Sequence, residues 1–291
     1  MINWIRRGRL AVMGILALVG VQFAGSSALA YVETTVTAGG TVTGRVRLDG
    51  PPPPSRIFHL VFSPNMAFCG KISDGAGNRL LKEFQVAPDG AFEGVVVAVV
   101  GVEKGKAFDY APELTIEHCR IAPLIMPVRN GKKVSLVNKD EIAHDIQAYS
   151  MRDDFAIQMF NKPLVPEGSA LKDIRMRKGH YMFRTQCGVH DYMQSWGIAV
   201  GNPYFAVTGP DGTFAISDLP PGEYDVIAWH PHLPVQSTRV LVSPKGQANL
   251  DFAFDSGLVD IPQHDLQRGY RLQTALDARP MPEPTVERQV P

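Results

Sequence analysis

A short stretch near residue 190 carries three side chains that could bind a soft metal ion. In R-T-Q-C-G-V-H-D-Y-M-Q-S-W, residues 184–196, Cys187, His190 and Met193 follow one another at three-residue intervals. Thiolate and thioether sulfur favour copper over hard cations such as calcium and magnesium, and imidazole also suits copper. A copper site made of two histidines, one cysteine and a distant methionine needs one more imidazole. The sequence therefore directs the search for a ligand upstream.

The second histidine is predicted to be His144. Residues 134–146 read V-S-L-V-N-K-D-E-I-A-H-D-I, which favours a strand ending at Asn138, a turn, and a new strand beginning at His144. The result is N-x-D-x-x-x-H, followed about 40 residues later by C-x-x-H-x-x-M. Zinc fits less well, because structural zinc sites prefer two to four cysteines completed by histidine, and the chain shows no such pattern.

Together these motifs resemble the cupredoxin family. The short ligand loop is most similar to that of amicyanin, and K-G-H-Y-M-F-R-T-Q-C, residues 178–187, is similar to the family's strand into that loop. The resemblance spans residues 110–200 and implies a Greek-key β-sandwich with the metal at one end. Carried over position by position, it implies that one type 1 copper ion is bound by His144, Cys187, His190 and Met193.

The resemblance also implies an electron exit at an exposed edge of His190. Tyr192 and Trp196 flank the ligand loop, and we expect them to form an apolar rim around that edge. Such a small contact area suits redox encounters, which are weak and short-lived. Asp145 follows the first histidine, where many cupredoxins have an asparagine that ties the two ligand loops together.

The elements that must position these residues are predicted to be short strands, so the fold class is all-β. Strands are expected in one sandwich of about 90 residues, at 113–118, 125–128, 133–138, 144–149, 170–176, 181–185 and 196–200. Residues 150–168 contain Pro163 and Pro166 and are predicted to be a loop or a short helix.

The flanking sequence shows a second resemblance, to the carboxypeptidase regulatory-like, transthyretin-like sandwich. It is carried by G-T-V-T-G-R-V at 40–46, V-V-V-A-V-V at 95–100, P-D-G-T-F-A-I at 210–216 and L-P-P-G-E-Y-D-V at 219–226. It implies a discontinuous domain, 40–106 and 201–255, with the copper domain inserted into it or packed beside it. A tail, 256–291, follows, in which 262–277 could form an amphipathic helix. The whole layout is similar to bacterial periplasmic plastocyanin-like or methylamine-utilisation proteins.

The amino terminus predicts export. M-I-N-W-I-R-R-G-R precedes an apolar run that closes at Ala28-Leu29-Ala30, so residues 1–30 are interpreted as a signal peptide cleaved after Ala30, with a periplasmic product. An uncleaved anchor is the alternative. The precursor has 29 basic and 29 acidic residues, and cleavage would remove three arginines, which leaves 26 basic and 29 acidic residues. Such a mildly acidic protein lacks the basic face that nucleic-acid binding requires.

Two cysteines remain outside the ligand loop, Cys69 and Cys119. In an oxidising compartment they are expected to form a disulfide, with two buried free thiols as the alternative. The bond would close a loop of about 50 residues and stabilise the fold by roughly 4 kcal/mol.

Other histidines and methionines are given structural interpretations. His180 is expected to be solvated at a turn, His118 to bind no metal, and the H-x-H pair of His230 and His232 to lie on an exposed loop. Core packing is expected of Met126, Met151 and Met159.

The function that these features favour is periplasmic electron transfer by one copper ion, without catalysis. The expected partners are a protein electron donor and acceptor, such as c-type cytochromes or a periplasmic dehydrogenase, with no small-molecule substrate. Copper enzymes need further copper centres with additional histidines, and the chain has no C-x-x-C-H haem motif. The alternatives are a copper buffer or chaperone and a cell-envelope interaction module.

Overall fold

The computed structural model describes residues 31–152, 155–261 and 272–274. Within these residues the chain is built almost entirely of strands, which confirms the all-β fold class. The helical elements are one turn of α-helix, α1 (Met66–Cys69), and 3-10 turns at Leu60–Phe62, Gly70–Ile72 and Ser256–Leu258. No helix in this part of the chain is long and apolar enough to cross a membrane. The predicted signal peptide lies outside the described residues.

The strands fall into three groups along the chain. The first group is β1 (Val32–Glu33), β2 (Gly40–Asp49), β3 (Arg56–His59), β4 (Asn78–Leu81), β5 (Gln85–Val86), β6 (Phe92–Glu93), β7 (Val96–Val100) and β8 (Lys104–Gly105). The second is β9 (Glu113–Ile116), β10 (Ile121–Ala122), β11 (Ile125–Val128), β12 (Lys133–Asn138), β13 (His144–Arg152), β14 (Phe155–Leu164), β15 (Ser169–Asp173), β16 (Met182–Cys187) and β17 (Gln194–Ala199). The third is β18 (Phe205–Val207), β19 (Thr213–Leu219), β20 (Gly222–Trp229), β21 (Gln236–Val242), β22 (Gln247–Asn249), β23 (Phe252–Asp255) and β24 (Leu272–Thr274).

The second group forms a two-sheet sandwich, here called the central sandwich. Its sheets have the strand orders β10-β9-β12-β15 and β11-β17-β16-β13-β14. In β12, buried and more exposed residues alternate, as expected of a strand with one face on a core. The core between the sheets includes Leu114, Leu136, Ile146 and Phe183, all fully buried.

A hairpin replaces the loop that was predicted over residues 150–168. Strands β13 and β14 pair from His144 opposite Leu164 to Arg152 opposite Phe155. The prediction was wrong because β14 is the edge strand of its sheet and is largely exposed, so its apolar alternation is weak. An edge position also tolerates Pro163, which donates no hydrogen bond to a neighbouring strand.

Strands from before and after the central sandwich combine in a second one, here called the outer sandwich. One sheet has the order β18-β7-β20-β21, and the other joins β19, β2 and β22, with β23 also paired to β2. Val42, Val97, Val226 and Phe254 lie in the core of this sandwich. Its likeness to a carboxypeptidase regulatory-like domain stays a prediction.

Strand β7 explains how the two sandwiches contact each other. Val97 and Val99 point into the core of the outer sandwich, whereas Val96 and Ala98 pack against Trp196 and Ile198 of the central one. Both faces of β7 are therefore buried. This is why its sequence is a continuous apolar run rather than an alternation.

The segment between β3 and β4 belongs to the central sandwich by packing. Phe58, Leu60 and Cys69 are all buried in the central core. Cys69 forms the expected disulfide with Cys119, which lies just before β10. The bond fixes residues 60–72 across one end of the central sandwich.

The structure describes three residues of the predicted tail helix, and for these three the prediction of a helix was wrong. Leu272–Thr274 are extended and pair antiparallel with β3. The rest of the range 262–277 lies outside the described residues.

Candidate metal centre

The ends of two paired strands bring His144 and Cys187 together. His144 is the first residue of β13 and Cys187 is the last of β16. These strands run antiparallel, with Ile146 opposite Cys187, so both side chains lie at the same end of the five-stranded sheet. The two residues are 43 positions apart in the sequence, but the pairing of their strands brings their side chains close together in space.

The loop from Cys187 to Met193 is closed by its own backbone. The Cys187 N–H donates to the Met193 carbonyl at 3.1 Å, and the Met193 N–H donates to the His190 carbonyl at 2.9 Å. This compact turn directs His190 back towards the cysteine. Met193 is 1% exposed on the same loop, and its role as a fourth, weak ligand stays a prediction.

Three donor atoms converge at this end of the sheet. The Sγ of Cys187 lies 3.6 Å from Nδ1 of His190 and 3.8 Å from Nδ1 of His144. All three side chains are buried, and their donor atoms lie within 4.8 Å of one another. Metal bonds of about 2.0 Å to imidazole and 2.3 Å to thiolate, enclosing roughly 120°, would separate such atoms by about 3.7 Å. The three residues therefore fit a single transition-metal ion.

Asp140 fixes the orientation of His144. Its Oδ2 lies 2.8 Å from the histidine Nε2, and both side chains are 2% exposed or less. A carboxylate acceptor at Nε2 keeps the proton there, which leaves the Nδ1 lone pair free to face Cys187. The same carboxylate accepts the backbone N–H groups of His118 and Cys119, at 2.5 and 2.9 Å.

Asn138 holds the turn that carries Asp140. Its Nδ2 donates to the carbonyls of Ile142 and Val165, both at 2.9 Å, and its Oδ1 accepts the Asp140 N–H at 3.0 Å. The sequence prediction used the motif N-x-D-x-x-x-H only to locate the histidine. The roles of its asparagine and aspartate were missed, although the motif itself contained the signal.

His190 turns its other nitrogen towards the disulfide. Its Nε2 lies 3.6 Å from Sγ of Cys69, and the side chain is 0% exposed. Burial, and then the neighbouring His144, lowers the pKa of His190 to about 4, with the carbonyl of Pro64 acting in the opposite direction. Burial also lowers the pKa of His144, against the influence of Asp140. Both imidazoles are thus neutral near pH 7 and able to bind a metal.

The thiol of Cys187 keeps its proton near neutral pH, because its pKa is raised. Burial raises its pKa, although backbone N–H groups of the ligand loop and of Asp145 act in the opposite direction. Because the thiolate is the ligand, metal binding must release this proton.

The main chain of Asp145 ties the two ligand segments together. Its carbonyl accepts the Gly188 N–H at 2.8 Å. Its side chain accepts a hydrogen bond from Gln147 at 3.1 Å. The departure from asparagine at this position therefore leaves a direct bond between the two ligand segments in place.

The expected electron-exit rim is absent from the described surface. Tyr192 is 3% exposed and Trp196 is 1% exposed, and His190 has no exposed edge for them to surround. Tyr192 packs on Phe58, with ring centroids 4.8 Å apart. The prediction was wrong because residues 60–72, which precede the central sandwich in sequence, cover this end of it.

The histidine pair His230 and His232 was also misassigned, because each is 1% exposed. His232 packs edge-on against Trp196 of the central sandwich, with ring centroids 5.3 Å apart. His230 packs against Phe84 and Phe92, with ring centroids 4.8 and 4.9 Å away. Glu83 approaches both histidines, through its carbonyl at 3.3 Å from His230 and its carboxylate at 3.5 Å from His232.

The remaining residues mostly follow their interpretations. His180 is half-buried rather than solvated, since its Nδ1 lies 2.7 Å from Ser150 Oγ. His118 is exposed, and Met126 and Met151 are buried in apolar clusters while Met159 packs partly buried against the central core.

No family model and no curated protein matches the sequence. A purple cupredoxin from Nitrosopumilus maritimus is 18% identical over 31% of this chain and 99% of its own, with a TM-score of 0.26. Amicyanin from Paracoccus versutus is 15% identical over 36% of this chain and 97% of its own, with a TM-score of 0.26. The copper-containing nitrite reductase from Thermus scotoductus is 14% identical over 35% of this chain and 25% of its own, also with a TM-score of 0.26. Likeness at this level carries no information about function, which depends on the residues of the site.

Proposed function

We propose that the protein binds one copper ion and carries single electrons. The ligands are His144, Cys187 and His190, with Met193 as a weak fourth. The observation that supports this most is the convergence of two imidazole Nδ1 atoms and one thiol sulfur in a buried space. Two nitrogens and one sulfur in a plane, with a distant thioether, is the donor set of copper sites that transfer electrons. When bound, the ion would supply exchange between Cu(I) and Cu(II).

The protein's own contribution is to hold the donors still and to exclude water. Each ligand is attached to a strand end or a closed turn, and His144 is further held by Asp140. A ligand set that moves little between two oxidation states needs little rearrangement when an electron arrives or leaves. Burial of all three donors keeps solvent from adding further ligands.

The main alternative is a copper buffer or chaperone that passes the ion to another protein. Such transfer proceeds by ligand exchange and requires that an incoming ligand can reach the metal. His144, Cys187 and His190 are each 1% exposed or less, and a disulfide-fixed segment covers His190. These features favour a protein that keeps its ion, and therefore a carrier.

A visible spectrum of purified protein loaded with Cu(II) tests the proposal. We expect an intense thiolate-to-copper absorption that ascorbate bleaches and ferricyanide restores. Cys187→Ser should abolish the band, and His144→Gln should weaken or shift it, whereas the control His180→Gln should leave it unchanged. Protein that binds Cu(I) tightly but stays colourless after oxidation would instead be a buffer, and the electron-carrier proposal would be abandoned.

The cellular setting follows from the same proposal. A redox donor and acceptor in the periplasm would supply and remove the electron. The cover over His190 means that transfer would pass through the Cys69 segment or another wall of the site, rather than through an exposed imidazole edge.

A further inference from the structure

A cavity of about 430 Å³ lies beside the ligand loop. Its wall includes Tyr192 and Met193 of that loop, residues 79–81 of β4, and residues 120–122 and Leu124 around β10. Cavities of this size accommodate small organic molecules. Of the proposed metal ligands only Met193 reaches this wall, so the rest of its lining requires a separate explanation.

Two arginines in the wall have no acidic partner in the part of the chain that the structure describes. Within the described residues, neither Arg79 nor Arg120 forms an ion pair with a carboxylate. Arg79 donates from Nη1 to the Cys119 carbonyl at 3.2 Å and lies over the Tyr192 ring, 5.0 Å from its centroid. Its Nε is buried without a hydrogen-bond partner. A largely buried cation in this state is costly unless an anion compensates it.

The electrostatics of Arg79 agree with that picture. Burial lowers its pKa to about 10, and the nearby positive charge of Arg120 acts in the same direction. Guanidinium stays charged at neutral pH all the same. Two like charges are thus held close together at the cavity wall.

The acidic residues of the wall are engaged elsewhere. Asp74 accepts the N–H groups of Ala76 and Asn78 at 2.8 and 3.0 Å and also the Asn78 amide. Glu83 is held by Arg56. Neither carboxylate neutralises the two arginines, and exposed Lys82 adds a further positive charge to the wall.

We propose that this cavity binds a small organic carboxylate. A carboxylate matches the planar fork of a guanidinium, which can donate two parallel hydrogen bonds to it. The apolar part of the ligand would contact Leu81, Ile121 and Leu124 of the wall. This site is independent of the proposed copper function. Met193 is the one proposed metal ligand in its wall, and it carries no charge that could hold the anion.

Calorimetric titration of metal-free protein with benzoate tests the inference. Benzoate should bind saturably, whereas benzamide, the neutral isostere, should not bind at the same concentrations. Arg79→Gln should weaken benzoate binding by about tenfold or more, because a charge-assisted hydrogen bond is removed. Arg120→Gln, at an exposed position, should weaken it without a risk to folding. Lys133→Gln, an exposed cation outside the cavity, is the matched control and should change nothing.

Three outcomes would overturn the proposal. Benzoate and benzamide could bind alike, or Arg120→Gln could bind benzoate as wild type does, and either result would exclude recognition of charge. Phosphate binding as tight as benzoate would exclude an organic carboxylate in favour of inorganic oxyanions. Since the titration uses metal-free protein, a failure to bind copper leaves this test unaffected, and a failure here leaves the copper proposal intact.

Discussion

The Sγ of Cys69 lies 3.6 Å from Nε2 of His190, so one half of a disulfide covers the outer edge of a candidate metal ligand. The other half, Cys119, donates its backbone N–H to Asp140, which in turn holds His144. A single cross-link therefore supports the surroundings of both histidines. It also explains why His190 is buried although it lies on a loop at the end of the sandwich.

Removing the disulfide is expected to loosen both the fold and the metal site. The double variant Cys69→Ser/Cys119→Ser opens a cross-link between residues 50 positions apart, which in the chain-entropy model costs about 4 kcal/mol of unfolding free energy. Copper should also pass faster to an added chelator, because residues 60–72 no longer shield His190. Guanidinium unfolding and the chelator transfer rate measure the two effects. A variant that loses stability but retains the wild-type transfer rate would show that the segment is no barrier.

Asp140 is expected to control copper affinity without binding the ion. Asp140→Asn removes the charged acceptor that orients His144, and changes of this kind typically weaken metal binding 10- to 100-fold. Competition with a chelator of known affinity measures the change. Glu141→Gln removes an exposed carboxylate from the adjacent position and serves as the control. Equal affinities for the two variants would argue that the contact with His144 has no positioning role.

The buried pair of Arg56 and Glu83 is expected to be strongly coupled. Arg56 is 1% exposed and its Nε donates to Glu83 at 2.8 Å. Glu83→Gln leaves the arginine charge buried and uncompensated, so we expect a loss of about 3 to 5 kcal/mol. The double variant Arg56→Met/Glu83→Leu removes both charges and should cost less than the single change. Denaturant unfolding of the wild type, the single variant and the double variant decides this, and a double variant that loses as much stability as Glu83→Gln or more would refute the coupling.

Stability should fall in mild acid because of His230. Burial, and then the neighbouring His232, lowers the pKa of His230 to about 3, with Glu83 acting in the opposite direction. A histidine in the unfolded chain has a pKa of about 6.5, so below that pH the unfolded state binds a proton that the folded state does not bind. The resulting stability is present above pH 6.5 and is lost as the pH falls towards 3.

Between pH 7 and 5 this histidine should account for about 2 kcal/mol of lost stability. In metal-free protein, His230→Gln should therefore lose about that much less than wild type over the same interval, whatever its stability at pH 7. Unfolding free energies at both pH values give the comparison. Parallel losses in the two proteins would mean that His230 is not held neutral by the fold.

Several features could be predicted because they depend only on residues that are close together in the sequence. The three-residue spacing of Cys187, His190 and Met193 defines a tight turn, and the backbone bonds of that turn depend on nearby residues only. Alternating apolar residues identified β12, since a strand places every second side chain on one face. The continuous apolar run at β7 matches a strand that is buried on both faces, for the same reason. The second histidine followed from the residue types at a predicted strand end.

Only the tertiary structure determines the contacts between residues that are far apart in the chain. Nothing near His190 indicates that Cys69, 121 positions earlier, closes over it. Likewise, His230 and His232 are buried by aromatic side chains far from them in the sequence, and Arg79 and Arg120 line one cavity only after folding. Periodicity in a sequence reports which face of an element avoids water, but not which element covers it. That choice is made by packing over the whole molecule, and it determines here which side of the candidate metal site is closed.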